Sequence, residues 1–279
     1  MRKTFEVRDY DLAATLESGQ AFRWRCTDKA WEGVVGHRWV RLTQSGNEIT
    51  AETVGNVRDW AWLDQYLMLD ENIGEIVETF PDDVAMESSL RACKGLRLLR
   101  QPHWECLASF ICSSSKQIVQ IRQIVANLCD RYGDRLPSRS KLAWHSFPAP
   151  ERLAECSEAE LRDCKMGYRA PYVLGSAEMV AGGDVDLADL AELDCTSARR
   201  ELMRLPGVGR KVADCVLLFG YGYQEAFPID VWIGRGLREL YFPRRKPTRK
   251  RLEKFTATYF GPYAGYAQQY LFHYVRTKI

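Results

Sequence analysis

Leu205-Pro206-Gly207-Val208-Gly209-Arg210-Lys211-Val212-Ala213-Asp214-Cys215, followed by Phe227-Pro228-Ile229-Asp230-Val231, is the stretch from which the rest of the chain can be read. Apolar residues at helical spacing precede it (Leu193, Leu202, Leu205) and follow it (Val212, Cys215, Val216, Phe219), so Pro-Gly-Val-Gly is predicted to join two helices. Glycine alone readily takes positive φ, so Gly207 and Gly209 are expected to turn the chain sharply and to admit a close backbone neighbour. The second helix is predicted to start near Gly209, where free amides and the positive end of the helix dipole can receive a phosphate. A bare Pro-Gly-x-Gly would equally serve as a packed αα-corner. The apolar flanks and the basic Arg210-Lys211 pair favour a helix-hairpin-helix grip on a nucleic-acid backbone, over residues 203–212.

Lys211 and Asp230 supply the chemistry. An ordinary lysine amine is protonated at neutral pH and is not a nucleophile. A helix start beside Arg210, partly desolvated, is the kind of setting that frees such an amine for Schiff-base formation. Taken alone, Lys211 would read as a solvated charge or a phosphate contact. Asp230 precedes the helical-looking Val231-Trp232-Ile233-Gly234-Arg235-Gly236-Leu237 and is predicted to be its N-cap. A carboxylate there can also face Lys211 and stabilise positive charge developing on a sugar as its base departs.

With these residues in this order, the run from Leu205 to Asp230 resembles the signature of the helix-hairpin-helix (HhH-GPD) DNA glycosylases. Four further segments are similar to the 8-oxoguanine DNA glycosylase/lyase branch: Ser18–Trp24, Glu105–Ser114, Gly167–Ala170 and Gly261–Gln268. The resemblance implies an α+β fold, with an N-terminal antiparallel sheet domain of the TBP-like kind over residues 1–80 packed on an all-helical glycosylase domain over 81–279. It implies duplex DNA containing 8-oxoguanine as partner, a monomeric enzyme and no cofactor required for catalysis. Lys211 and Asp230 would be catalytic. The Gly19 carbonyl would read the N7 hydrogen of 8-oxoguanine, Cys215 and Phe272 would sandwich the flipped base, and Gln268 would read its pairing edge. Gly207, Gly209, Ser115, Lys116, Gln120, Tyr168, Arg169 and Trp232 would meet DNA. The backbone carbonyls of Met203, Leu205 and Val208 would hold a structural sodium, potassium or calcium ion. Singly these residues have plainer readings: Cys215 and Phe272 as core, Gln268 as an exposed helix residue, Gly19 as a helix terminator. Their joint occurrence in register with Lys211 and Asp230 favours function. Two alternatives stay open: a monofunctional glycosylase for alkylated bases, which would use water as nucleophile, and a noncatalytic DNA-binding module.

The chain also departs from that family. Eukaryotic members carry a run of asparagines and then an arginine where this sequence has Ser115, Lys116, Gln117 and Gln120, whereas the accompanying tyrosine and arginine are kept as Tyr168 and Arg169. Those residues engage the cytosine opposite the lesion, so a weaker cytosine preference is expected here. Trp232 stands where the family often places a histidine.

Composition agrees with a globular protein: 279 residues, 46% hydrophobic, 27% charged and a net charge of +2. General polyanion affinity does not follow from so small a charge, but two local clusters do border candidate DNA surfaces: Arg199, Arg200, Arg204, Arg210 and Lys211, and Arg244, Arg245, Lys246, Arg249, Lys250 and Arg251. Nine scattered cysteines lack disulfide or zinc spacing, and none follows Cys215, so no iron-sulfur cluster is expected. No apolar leader or membrane-length run is seen, which points to a soluble protein that is not secreted, working in the cytoplasm and nucleoid of a bacterium or the nucleus of a eukaryote. Alternating residues between Phe22 and Val54 predict the sheet, and a helical pattern from about Phe80 includes one face made of Ile118, Ile121, Val125, Leu128 and Tyr132 and a capping box at Ser157 and Glu160.

Overall fold

A computed structural model describes residues 1–244 and 246–278; Arg245 of the second basic cluster lies outside the described residues. The N-terminal part is a five-stranded antiparallel sheet in the order β1-β5-β4-β3-β2, with β1 Arg2–Glu6, β2 Arg25–Thr27, β3 Ala30–Val35, β4 Arg38–Ser45 and β5 Glu48–Thr53. Its central strands alternate as the sequence predicts, with Val40, Leu42, Ile49 and Ala51 fully buried. They pack with Leu12, Leu16, Trp24 and Trp31 against Leu63 and Leu67 of the Ala61–Leu67 helix. Trp39 and Val34 bury the opposite face against Trp144.

Two features of the sheet differ from the sequence reading. β1, which pairs with β5 from Arg2 opposite Glu52 to Glu6 opposite Glu48, carries one buried residue, Phe5, and so gives almost no alternation signal. Its charged residues suit an exposed edge. Phe22 and Trp24, read as strand residues, instead lie in an irregular segment before β2. Trp24 is buried because Gly33 of β3 has no side chain: a Cβ there would stand 2.6 Å from the indole.

The remaining chain is mainly helical, and one continuous core runs through it from Phe22 to Leu271. The change of core falls within the Leu67–Ile73 stretch, since Leu63, Tyr66 and Leu67 belong to the sheet's core and Ile73, Ile76 and Phe80 to the helical one. The Val84–Ala92 helix packs on the C-terminal helix Ala264–Lys278. Helix Ile118–Tyr132 buries Ile121, Ile124, Val125 and Leu128, close to the predicted face. The capping box forms, with Ser157 N–H donating to Glu160 at 2.8 Å and Glu160 N–H donating to Ser157 Oγ at 3.3 Å. No helix is long and apolar enough to cross a membrane among the described residues.

Buried amides tie the two parts together. Gln20 donates to the Thr15 and Arg97 carbonyls at 3.0 and 2.8 Å, accepts from Leu99 N–H at 2.8 Å, and offers its own carbonyl to Gln101 at 2.7 Å. Leu98 N–H donates to Tyr266 and Gln269 donates to the Ser18 carbonyl, so the C-terminal helix joins the same web. Removing one such amide leaves several buried partners unsatisfied. Gln20→Ala is therefore expected to lower unfolding free energy by about 3 kcal/mol; urea titration with the Trp fluorescence signal measures it, and a loss within about 0.5 kcal/mol of zero would show the web to be dispensable.

Candidate active site and nucleic-acid interface

The predicted hairpin forms between helix Cys195–Leu202, capped by Asp194, and helix Arg210–Val216, which starts at Gly209. Gly207 takes φ +75°, and a Cβ on it would stand 2.7 Å from the Tyr172 side chain, so turn geometry and close packing both demand glycine there. Gly209 does not bear out the expected turn role. Its φ is −90° and ψ 177°, ordinary extended backbone, and the space around it is open. What it contributes is a bare N-cap that another backbone can approach.

The flanking basic residues are less free than the sequence implied. Arg199 donates to Asp214 at 2.5 Å, crossing from one hairpin helix to the other, and Arg210 lies 3.7 Å from both Asp214 and Glu253. Burial pushes the Asp214 carboxyl up, opposed chiefly by the Arg199 guanidinium. Arg204 pairs with Glu201 and Arg249 with Glu253. Arg199 is thus an internal strut of the hairpin rather than a DNA-facing charge.

Beside the hairpin lies a cavity of about 380 Å³. It brings together Lys211, Asp230, Gly19, Cys215, Gln268 and Phe272 from four distant segments, with Lys116 and a half-exposed Trp232 also on its wall. The Lys211 Nζ donates to Ser113 Oγ at 2.8 Å and sits 5.2 Å over the Phe110 ring. Asp230 is the N-cap of helix Val231–Tyr241, its Oδ1 accepting from Ile233 N–H at 2.8 Å. Burial raises its carboxyl above the usual range, while the Ile233 amide and then Lys211 draw it back. Among the described residues no ion pair joins Lys211 to Asp230, so both line the cavity without neutralising each other directly.

The rest of the wall suits a flat heterocycle. Burial pushes the Cys215 thiol up to about 12, keeping it neutral, with Lys211 the main opposing influence. Gln268 is 4% exposed and its Oε1 has no hydrogen-bond partner, an acceptor available to a ligand donor. Gly19 follows the Leu12–Glu17 helix with φ +85°, so its plainer role as helix terminator holds as well. A Cβ there would meet Ile118 Cδ1 at 2.7 Å and Arg276 at 3.3 Å, both lining the same cavity. Ser113, Phe110, Phe22 and Arg276 escaped the sequence reading as site residues. Nothing in their spacing distinguishes them from ordinary core or surface residues, although Phe22, Phe110 and Ser113 lie inside segments already singled out.

Other predicted residues lie outside the cavity. Ser115 is exposed with φ +54°, next to Lys116. Gln120 is exposed, but its Oε1 accepts from Gln117 N–H at 3.2 Å and so serves the helix start. Tyr168 is 51% exposed, whereas Arg169 is 3% exposed, stacked 4.1 Å from the Tyr168 ring and donating to the Ser114 and Met166 carbonyls. In this structure Arg169 therefore braces the Ser114 turn and does not face outward with Tyr168. At the hairpin, Leu205 O accepts Val208 N–H at 3.1 Å, which leaves a second lone pair on that carbonyl. Among the described residues no cluster of three or more His, Cys, Asp or Glu side chains could hold a metal.

Comparison with known proteins gives the family. Residues 4–107 match the family model of the 8-oxoguanine DNA glycosylase N-terminal domain, and residues 108–262 that of the HhH-GPD superfamily of base excision DNA repair proteins. The chain is 31% identical over 279 residues to the N-glycosylase/DNA lyase OGG1 of Arabidopsis thaliana, covering 94% of this chain and 76% of that one. It is 30% identical over 304 residues to a probable N-glycosylase/DNA lyase of Methanothermobacter thermautotrophicus, covering 97% and 95%. The solved structure of Clostridium acetobutylicum 8-oxoguanine glycosylase/lyase with dsDNA containing cytosine opposite 8-oxoG superposes with a TM-score of 0.92 at 28% identity, covering 98% of this chain and 97% of that one. A lysine and an aspartate sharing a base-sized cavity beside a hairpin, on a chain matched by both domain models, mark this protein as a member of the 8-oxoguanine DNA glycosylase branch of the HhH-GPD base-excision repair superfamily.

Proposed function

We propose that this enzyme removes 8-oxoguanine from duplex DNA by Schiff-base chemistry at Lys211 and then nicks the strand by β-elimination. The observation that carries the reading is the shared cavity of Lys211, Asp230, Cys215, Gln268 and Phe272. The damaged nucleotide turns out of the helix at a cost of a few kcal/mol, which binding offsets. The amine of Lys211 forms a bond to C1′ while the bond to the base breaks, and its electron pair leaves with the base. Asp230 stabilises the positive charge that develops on the sugar. Ring opening, with a proton passing from the nitrogen to O4′, gives a protonated imine to Lys211; loss of a C2′ proton to solvent then breaks the C3′–O bond and expels the 3′ phosphate.

Each remaining role follows the surroundings of its residue. Cys215, neutral, and Phe272 present the faces for stacking, Gln268 offers its unpartnered Oε1 to the base edge, and the Gly19 carbonyl meets the N7 hydrogen. The exposed Ser115, Gln120, Tyr168 and Trp232 contact the duplex with Lys116, and Arg169 acts by holding the Ser114–Ser115 turn. The amides at the start of the Arg210–Val216 helix receive a backbone phosphate, with a monovalent or calcium ion held on the Met203, Leu205 and Val208 carbonyls as a structural bridge. No catalytic step requires that ion. The enzyme works as a monomer, with the sheet part and the helical part as its two domains, in the compartment that holds DNA.

A monofunctional alkylated-base glycosylase would need water as nucleophile, and the held amine of Lys211 argues against it. Lys211→Gln is expected to abolish base release and borohydride trapping on 8-oxoguanine duplex while changing DNA affinity by less than about threefold. Trapping of that variant would show another nucleophile, and duplexes carrying 3-methyladenine, hypoxanthine or thymine glycol test the substrate class in parallel.

The exposed Ser115 and the helix-capping Gln120 leave less to hold an opposing cytosine than the asparagine run does. Single-turnover rates with cytosine, thymine, guanine or adenine opposite the lesion are expected to differ by less than about tenfold. A preference for cytosine well beyond that would contradict the assignment of these positions.

A further inference from the structure

We infer that Ser113 is the positioning residue of the nucleophile: it holds the Lys211 amine through an oxygen that can only accept, and so leaves the nitrogen lone pair to face the cavity. The inference deepens the Schiff-base reading and rests on it. Ser113 follows helix His103–Cys112 directly and is 8% exposed. Its hydroxyl donates to the Phe110 carbonyl at 2.7 Å, and Lys211 Nζ lies 2.8 Å from the same oxygen.

A serine hydroxyl has one proton. Here it is committed to Phe110, so the contact with Lys211 must run from N–H to oxygen. A freely rotating serine could instead donate to the neutral amine, and that hydrogen bond would occupy the lone pair needed for attack. The Phe110 carbonyl removes the option. The Phe110 ring attracts the hydrogens of the nitrogen and not its lone pair, since an aromatic face carries negative potential. Two of the amine's neighbours thus engage its hydrogens; a third, the Cys215 thiol one turn on, lies on the wall of the cavity that Asp230 shares, and that cavity is the direction left for the lone pair.

Losing that oxygen should therefore loosen the aim of the amine. Other titratable or charged groups on the cavity wall are Asp230 from the following helix cap, Lys116 from the turn after Ser113, Arg276 from the C-terminal helix and Cys215 on the helix of Lys211 itself. All are left in place by substitution at position 113.

The test is single-turnover excision from 8-oxoguanine duplex, with borohydride trapping alongside. Ser113→Ala is expected to lower the plateau rate about tenfold and to leave affinity for an uncleavable abasic-site duplex unchanged. Ser113→Thr, which keeps the hydroxyl, should restore the rate, and Ser113→Cys, nearly the same size but a weak acceptor, should resemble the alanine variant. An alanine or cysteine variant with the parental plateau overturns the inference. So does a slowed alanine variant that threonine does not rescue, since that is the mark of a merely structural role. If the parental enzyme itself formed no trapped adduct, the Schiff-base reading would fail first, and the two failures are told apart by that control.

Discussion

Gln20 is a side-chain amide sealed inside the protein, and the shape of the active site depends on its being fully bonded. It fixes the loop that carries Gly19 to the segment Arg97–Gln101, whose backbone is bonded in turn to Tyr266, while Gln269 bonds back to Ser18. Gly19, Gln268 and Phe272 therefore share a single buried framework although about 250 residues separate them. Low dielectric makes such a network costly to break, so the cavity is lined from both parts of the chain by segments that a bonded framework joins. The Tyr266 hydroxyl extends it to Glu71, whose carboxyl burial pushes up while that hydrogen bond and nearby arginines pull it down.

The charges around the pocket are arranged on the same logic. Two guanidiniums that support the fold are matched with carboxylates: Arg199 with Asp214 across the hairpin, Arg23 with Glu105 in the interior. Where chemistry is proposed, matching is withheld. Lys211 is held by a neutral hydroxyl and an aromatic face, and Asp230 by a backbone amide, so each keeps its own character until a sugar comes between them. A tight Lys211–Asp230 pair would be more comfortable in isolation but would engage the nucleophile.

Much of this was readable in the sequence because it rests on local chemistry. The glycine turn, the N-cap aspartate, the capping box at Ser157 and the helical face around Ile121 are each set by neighbours within a few residues. What escaped depends on distant partners. A run of arginines looks the same whether each faces water or, like Arg199, a buried carboxylate on another helix. Arg169 sits beside Tyr168 in sequence, yet one points inward and the other out. Gly209 looks as turn-forming as Gly207 until its φ is known, and β1 is recruited by pairing with β5 rather than by an apolar pattern of its own. The cavity residues came into register only through a family resemblance, since nothing local links Gly19 to Phe272.

Selectivity sets a final demand on the framework. In the proposed reading a carbonyl at Gly19 distinguishes an N–H from a lone pair at one purine position, a difference of about 1–3 kcal/mol for a buried acceptor left without its donor. That is roughly ten- to a hundredfold, too little by itself against undamaged guanine in large excess. Further discrimination has to come from steps in series, the cost of extrusion and the demand that C1′ reach the amine, each of which amplifies a misfit only if the walls do not yield. Gly19 is placed for that by geometry: its φ of +85° is one that glycine adopts readily, a Cβ there would stand 2.7 Å from Ile118, and the carbonyl of its neighbour Gln20 is bonded to Gln101. In the proposed reading, rigidity of the junction is thus part of the recognition chemistry and not only of the fold.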